Sequence, residues 1–95
     1  MRTETTQAYR EWIDGLRDLA GRARILARIE RLASGNPGLY RALSHGVCEL
    51  KITAGPGYRV YYVQRGRVTI VLLAGGDKST QRDDIAHAIA LARNL

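Results

Sequence analysis

The feature that most constrains the fold is a change of hydrophobic spacing near the middle of the chain. Between residues 7 and 34 apolar side chains recur every three or four positions, whereas between residues 47 and 74 they alternate or run together. The first spacing is typical of amphipathic helices and the second of β-strands. The segment "SGNPG" at 34–38 separates the two regions, because glycine accepts a left-handed helix cap and proline cannot continue a helix.

The N-terminal region predicts two helices that form a hairpin. The first covers residues 7–19, and the second begins after Gly21 and covers residues 22–34. Each has one apolar stripe and one charged face, so both should bury their stripes in a common core. The residues expected in the core from this region are Trp12, Leu16 and Ile29.

The second region predicts a meander of three antiparallel strands followed by a helix. The strands cover residues 47–54, 58–64 and 67–74, with short turns at "GPG" and "RG". The third strand is almost wholly apolar, which is typical of an interior strand with both faces covered. The C-terminal helix follows a turn, "GGDKST", where Ser79 or Thr80 could cap it. The core residues expected here are Ile70 and Ile89.

Size and charge limit the architecture and the class of partner. A chain of 95 residues fits one domain, residues 1–95, of class α+β: an N-terminal helical hairpin packed on a curved, mainly antiparallel sheet, with a C-terminal helix. The net charge of +6 comes mostly from arginine, which suits phosphate contacts and favours a nucleic acid over a membrane surface, while an acidic protein would satisfy the same positive field. No apolar stretch is long enough to span a bilayer, and the polar start does not resemble a signal peptide, so we expect a cytoplasmic protein without a membrane partner.

Alternation in the first predicted strand divides its side chains between two faces. Glu49, Lys51 and Thr53 should share a solvent-exposed face, and pairing across the "GPG" turn should set Arg59 and Tyr61 opposite them. Cations, an aromatic ring and polar groups on one face would suit RNA. An ordinary solvated face with weak surface ion pairs is the alternative.

Other candidate features favour structural interpretations. Cys48 fits a small inward-facing residue of the first strand, and the two histidines, His45 and His87, have no metal-ligand spacing, so no metal site is expected. "GPG" and "GGD" match no nucleotide-binding fingerprint and are interpreted as turns. The arginines Arg24, Arg28 and Arg31 form a stripe on the second helix, for which a solvated surface is preferred.

Several long motifs resemble those of the RelE/ParE superfamily of type II toxins, in particular the addiction module killer or HigB-like group. They are "WIDGLRD" (12–18), "RILARIERLASGNPG" (24–38), "GVCELKI" (46–52), "GPGYRVYYVQRG" (55–66) and "LLAGGDKSTQRDDIAHAIALA" (73–92). The resemblance implies a RelE-like fold and, in the mRNA-cleaving branch, an endoribonuclease that acts on ribosome-bound mRNA without metal or cofactor. The expected partners are therefore mRNA on the ribosome and a cognate antitoxin from an adjacent gene.

The resemblance also assigns candidate roles to individual residues. Arg59, expected on an exposed strand face, matches the arginine that stabilises transition-state charge, and Lys51 and Lys78 match further basic positions. Lys51 could act as general base only where neighbouring cations favour its neutral form, and Glu49 is the alternative base or their counter-ion. The residues expected to bind RNA are Tyr61, Thr53, Gln81 and Arg82.

Two other functions remain compatible with the sequence. A ParE-like gyrase poison would use the same fold to bind a protein target without cleaving RNA. A noncatalytic nucleic-acid-binding module would need only the positive charge. Near the C-terminal helix, Gln81, Asp83, Asp84 and His87 stand where many ribosome-dependent members carry a tyrosine or a histidine, so the proton donor is unassigned.

Overall fold

A five-stranded sheet with helices on both faces forms the framework of the computed structural model, which describes residues 1–95. The strands are β1 (Arg2–Thr5), β2 (Tyr40–Ala42), β3 (Cys48–Ile52), β4 (Tyr58–Arg65) and β5 (Thr69–Gly76). The helices are α1 (Gln7–Gly15), α2 (Leu19–Ala33) and α3 (Gln81–Arg93). The sheet order is β1-β5-β4-β3-β2, and only β1 and β5 run parallel. The predicted α+β class and mainly antiparallel sheet are confirmed.

The sheet contains two edge strands that the hydrophobic pattern did not predict. All side chains of β1 and β2 are exposed, so neither strand carries the apolar alternation that marks a half-buried strand. Both form because their backbones complete the ladders of β5 and β3. Strand β1 covers the outer edge of β5, and this pairing makes the apolar β5 an interior strand, as predicted.

Side chains of β5 contribute to two separate cores, one on each face of the sheet. Ile70 and Leu72 belong to the core under α1 and α2, whereas Val71 and Leu73 belong to the core under α3. The expected core positions are confirmed: Ile29 and Ile70 are buried, Trp12 and Leu16 pack half-buried against the first core, and Ile89 packs half-buried against the second.

The boundary between the first two helices differs from the predicted one. Helix α1 ends at Gly15, four residues early, and α2 begins at Leu19, three residues early, because the Asp18 carboxylate accepts a hydrogen bond from the Gly21 amide at 3.0 Å. Gly21 therefore lies inside α2, where a Cβ atom would come within 2.5 Å of the Tyr58 ring. The main contacts of α1 are with β5, and those of α2 are with β3 and β4, so packing of the two helices as a hairpin is not confirmed.

Gly75 and Gly76 belong to β5 and not to the predicted turn. A Cβ atom on Gly75 would overlap the Trp12 ring from α1, and one on Gly76 would overlap the Asp84 carboxylate from α3. The two glycines therefore allow helices to approach opposite faces of the same strand end. A 3₁₀ turn, Lys78–Thr80, then leads into α3. Thr80 occupies the predicted cap position, but its hydroxyl donates to Asp84 and makes no cap hydrogen bond.

No helix combines the length and the apolar character needed to cross a membrane.

We predict that Gly75→Ala destabilises the domain, because the added methyl group must displace a rigid indole ring. An overpacked site of this kind costs about 1–3 kcal/mol. Gly15→Ala is the matched control: a Cβ atom there meets no neighbour within 4 Å, and alanine favours helix by up to about 1 kcal/mol. Urea denaturation of both variants measures the difference. Equal stability of the Gly75→Ala variant and the wild type would contradict the proposed close contact.

Candidate functional site

The candidate residues of β2, β3 and β4 lie in one cross-strand ladder. Arg59 and Tyr61 lie opposite the Glu49 side of β3, as the alternation and the "GPG" turn predicted, and the register pairs Lys51 with Arg59 and Glu49 with Tyr61. On the other side of β3, Glu49 also pairs with Arg41 of β2. Side chains that are directly opposite in antiparallel strands lie on the same face of the sheet. The ladder therefore brings three cations, one carboxylate and one phenol together.

The face that carries this ladder is not solvent-exposed, so the prediction of a wet face is wrong. Glu49 and Tyr61 are 0% exposed, and Arg59 is 7% exposed. Helix α3 packs on this face through Ala88, with Ile85 and Ile89 half-buried beside it. Lys51 is half-buried, and only Thr53, beyond the end of β3, is exposed as predicted. Strand alternation shows which side chains share a face, but it does not show whether a distant helix covers them.

Glu49 is the centre of a buried polar network. Its Oε1 accepts a hydrogen bond from Arg41 Nε at 3.0 Å, and its Oε2 accepts one from Gln81 Nε2 at 2.9 Å. Arg59 Nε lies 3.7 Å from the same Oε2. Burial by itself raises the pKa of Glu49, but the hydrogen bonds from Gln81 and Arg41 outweigh it and hold this pKa below its ordinary value. Glu49 is therefore ionised near neutral pH, and its contacts favour the counter-ion role over that of a general base.

The "GPG" turn holds Arg59 and Lys78 beside each other. Arg59 Nη1 donates a hydrogen bond to the Gly57 carbonyl at 2.6 Å, and the Lys78 amide donates to the Pro56 carbonyl at 3.4 Å. Gly57 has φ of 77°, and a Cβ atom there would lie 3.2 Å from Arg59 Nη1. The turn thus needs glycine both for its left-handed backbone and for the close approach of the guanidinium group. It is a structural turn, as predicted, but one that positions two candidate residues.

Tyr61 cannot offer a stacking surface in this arrangement. Its ring is completely buried, and its hydroxyl makes no hydrogen bond. Burial raises the pKa of Tyr61 well above its ordinary value, and the charge of Glu49 raises it further. The prediction that Tyr61 binds RNA is therefore wrong, since its side chain is completely buried. Its ring instead belongs to the second core, and its backbone pairs with Glu49 across β3 and β4.

Two adjoining clefts open above this network. The first, called here the Lys78 cleft, has a volume of about 190 Å³ and contains Lys51, Thr53, Arg59 and Lys78 together with Ile52, Gly57 and Tyr58. The second, the Arg82 cleft, has a volume of about 510 Å³ and is lined by Arg41, Lys51, Arg59, Gln81, Arg82 and Ile85. Lys51 and Arg59 line both clefts. Of the eight candidate residues, six therefore line these clefts, while Glu49 and Tyr61 lie beneath them.

Arg41 belongs to this site although the sequence analysis did not identify it. It lies in β2, a three-residue strand whose side chains are all exposed. The only local signal was a short segment, "YRA", between two glycine-containing turns, and such a segment is too short to show a period. Its place in the site follows from its pairing with Glu49.

The chemistry of these side chains suits an anion. Neither cleft is lined by aspartate or glutamate, whereas five different lysines and arginines line the two together. Guanidinium and ammonium groups bind phosphate through charge-assisted hydrogen bonds. No group of three or more His, Cys, Asp and Glu side chains is arranged to hold a metal ion.

We predict that Glu49→Gln removes part of the acid sensitivity of the fold. Because the pKa of Glu49 is lower in the folded chain than in the unfolded one, the unfolded chain binds more protons at mildly acidic pH. The stabilisation from ionised Glu49 is thus complete above about pH 4.3, the ordinary glutamate value, and is lost as the pH falls through the folded-state pKa.

Free energies of unfolding between neutral and acidic pH measure this effect. At neutral pH Glu49→Gln should cost about 1–3 kcal/mol, since buried donors lose a charged acceptor. The wild type should then lose more stability on acidification than the variant does. Glu11→Gln, at an exposed position of α1, is the matched control. Parallel pH curves for the wild type and Glu49→Gln would contradict the prediction.

Comparison with known proteins shows to which family this chain belongs. A protein of Haemophilus influenzae that carries the name "Uncharacterized protein" is 45% identical over 92 residues, which cover 97% of this chain and 93% of the relative. No solved structure matches the chain. The family model described as "Phage derived protein Gp49-like (DUF891)" matches residues 11–95 and so includes every candidate residue. The chain therefore belongs to the phage-derived Gp49-like family, a toxin-like family related to toxins of the RelE/ParE type.

Proposed function

We propose that this protein is the toxin of a type II toxin–antitoxin system and cleaves ribosome-bound mRNA as a metal-independent endoribonuclease. The observation that carries this proposal is the placement of Lys51 and Arg59 where two cationic clefts meet. A polynucleotide lying across both clefts would present one phosphate to this pair and neighbouring phosphates to the flanking cations. The toxin-like character of the family supports the general assignment, and the HigB-like resemblance of the motifs supports the specific one.

The proposed reaction is attack of an RNA 2′-oxygen on its adjacent phosphorus. The 2′-hydroxyl gives its proton to a base, the new bond from the 2′-oxygen to phosphorus forms, and the bond from phosphorus to the 5′-oxygen breaks. The leaving 5′-oxygen takes up a proton, so the products are a 2′,3′-cyclic phosphate and a 5′-hydroxyl. Negative charge grows on the phosphate oxygens in the transition state, and fixed cations stabilise it there.

The contacts of the network distinguish the proposed roles of its members. Glu49 has both oxygens occupied and is completely buried, so we assign it to holding Arg59 and Arg41 in place. Arg59 is held by Gly57 and Glu49 and is assigned to charge stabilisation. Lys51 is the half-exposed residue between the clefts and is assigned to proton transfer with the reacting 2′-hydroxyl.

The remaining cleft residues are assigned to binding the RNA strand. Lys78 and Arg82 lie in different clefts, on opposite sides of the Lys51–Arg59 pair, and each is exposed. Thr53 offers an exposed hydroxyl in the Lys78 cleft, and Gln81 lines the Arg82 cleft while its side chain holds Glu49. Such contacts fix the register of a backbone without reading its sequence.

We predict that Lys51→Ala reduces mRNA cleavage by about 10²- to 10⁴-fold, the usual contribution of a positioned general acid or base. None of the four ion pairs includes Lys51, so the fold should survive the change. Arg65→Ala, at the exposed far end of β4, is the control and should retain full activity. Toeprinting on translating ribosomes measures cleavage, with growth inhibition as the second readout.

Arg59 must be tested with a variant that keeps the fold intact, because its side chain is buried and not exposed as expected. Because it is buried against Glu49, Arg59→Ala should reduce stability as well as activity. Arg59→Lys keeps the positive charge but loses the planar fork, so a folded Arg59→Lys variant with low activity would support the catalytic role.

Two outcomes would contradict these assignments. Growth inhibition without any mRNA cleavage would overturn the nuclease function and favour the gyrase-poison alternative. Full activity of Lys51→Ala would remove Lys51 from the site.

We further propose an antitoxin that covers or distorts the clefts with an acidic segment. The net charge of +6 and the absence of carboxylates from the cleft walls both favour such a partner. We predict that association with the product of the adjacent gene slows by about tenfold or more between low and high salt, because salt screens electrostatic steering. Stopped-flow mixing measures this rate. A rate that does not change with salt would show that the positive field does not guide recognition.

A further inference from the structure

A third cationic groove lies between α2 and the end of β3. It has a volume of about 340 Å³, and its charged lining is the arginine stripe of α2. Arg24, Arg28 and Arg31 lie at intervals of four and three residues, so their side chains share one helix face. The far wall of the groove is the strand end Ile52, Thr53 and Ala54.

The three arginines of this groove differ in what they contact. Arg28 donates hydrogen bonds to the carbonyls of Lys51 at 2.6 Å, Pro37 at 2.9 Å and Leu39 at 3.1 Å, which ties α2 to β3 and to the preceding loop. Arg24 and Arg31 are exposed, and neither guanidinium group takes part in an ion pair or a hydrogen bond. Arg28 is therefore structural, whereas Arg24 and Arg31 leave two unneutralised charges at the groove.

This groove is continuous with the candidate site. Ile52 and Thr53 line both the groove and the Lys78 cleft, just as Lys51 and Arg59 line both the Lys78 cleft and the Arg82 cleft. No aspartate or glutamate lines any of the three. The three cationic concavities therefore adjoin one another, from α2 around the end of β3 to the start of α3.

We propose that the α2 groove binds the sugar–phosphate backbone of the RNA substrate beyond the nucleotides that occupy the two clefts. This inference rests on the proposed function for the identity of the polyanion. The groove walls favour a nucleic acid over an acidic peptide, because their apolar residues are the small Ala27 and Ala54 and the buried Ile52, and no aromatic or large exposed aliphatic side chain lines the groove to anchor a peptide. Planar guanidinium groups suit repeated phosphate contacts.

The test compares the binding of short and long RNA by fluorescence anisotropy. The probes are fluorescein-labelled, fully 2′-O-methylated oligoribonucleotides of about three and about twelve residues, one near the size of the clefts and one able to extend beyond them. Methylation removes the attacking hydroxyl, so binding is measured without cleavage. The variant is Arg24→Ala/Arg31→Ala, and the matched control is Arg65→Ala/Arg67→Ala, which removes the same charge from an exposed turn about 20 Å along β4 from Arg59.

We expect the Arg24→Ala/Arg31→Ala variant to bind the long probe about tenfold more weakly near physiological salt and to lower the slope of log affinity against log salt by about 1.4, since each single-strand phosphate contact contributes about 0.7. The short probe should bind the variant and the wild type equally. The control should retain both affinities. An unchanged melting temperature of the variant would exclude unfolding as the cause, because both arginines are exposed.

Several results would overturn the groove assignment. They are an equal loss of RNA affinity in the Arg65→Ala/Arg67→Ala control, no loss of affinity for the long probe, or an equal loss of affinity for the short probe. Loss of binding to an acidic protein partner while RNA affinity stays intact would also overturn it. The proposed function is judged separately. A wild-type protein that binds the long probe through Arg24 and Arg31 but cleaves no mRNA would refute the nuclease function and leave the RNA-binding role of the groove supported. Conversely, mRNA cleavage by the wild type together with unchanged RNA affinity of the Arg24→Ala/Arg31→Ala variant would refute only the role of the groove.

Discussion

The site depends on one buried carboxylate. Removing an ionised carboxyl group from water is costly unless charged donors replace the lost hydration. Glu49 accepts hydrogen bonds from Arg41 of β2 and from the neutral amide of Gln81 in α3, and the Arg59 guanidinium group of β4 lies 3.7 Å from its Oε2. The same contacts that make its burial tolerable fix two cations and the first residue of α3 around the clefts. Stability and site geometry thus rest on a single network, so a change to one is expected to disturb the other.

The position of α3 decides how much of the ladder remains open. Gly76 lets Asp84 approach the end of β5, while Gly75 lets Trp12 approach the same strand end from the other face. The helix then packs its apolar stripe against Tyr61 and its Gln81 against Glu49 but leaves Lys51 half-exposed. On the open side, the "GPG" turn supports Lys78 and Arg59. The clefts consequently lie at the margin of the second core, between α3 and the "GPG" turn, where the helix leaves the sheet uncovered.

Arginine supplies most of the positive charge of this chain, but individual arginines have different structural roles. Arg28 satisfies three backbone carbonyls, and Arg59 neutralises a buried carboxylate. Arg24, Arg31 and Arg82 have no such partners and remain available to an external anion. A positive net charge therefore indicates the class of partner, whereas the contacts of each guanidinium group determine which arginines can meet it.

The sequence by itself determined the α+β class, the three strands of the meander, the placement of Arg59 and Tyr61 opposite Glu49 and Lys51, and the C-terminal helix, because periodicity and turn residues are local properties. Only the tertiary structure decided that α3 buries the Glu49 face, that Asp18 rather than Gly21 marks the helix boundary, and that β1 and β2 exist. Arg41 entered the site for the same reason. Edge strands form by pairing with a sheet already present, and a face is exposed or covered according to what docks on it, so both depend on residues far away along the chain.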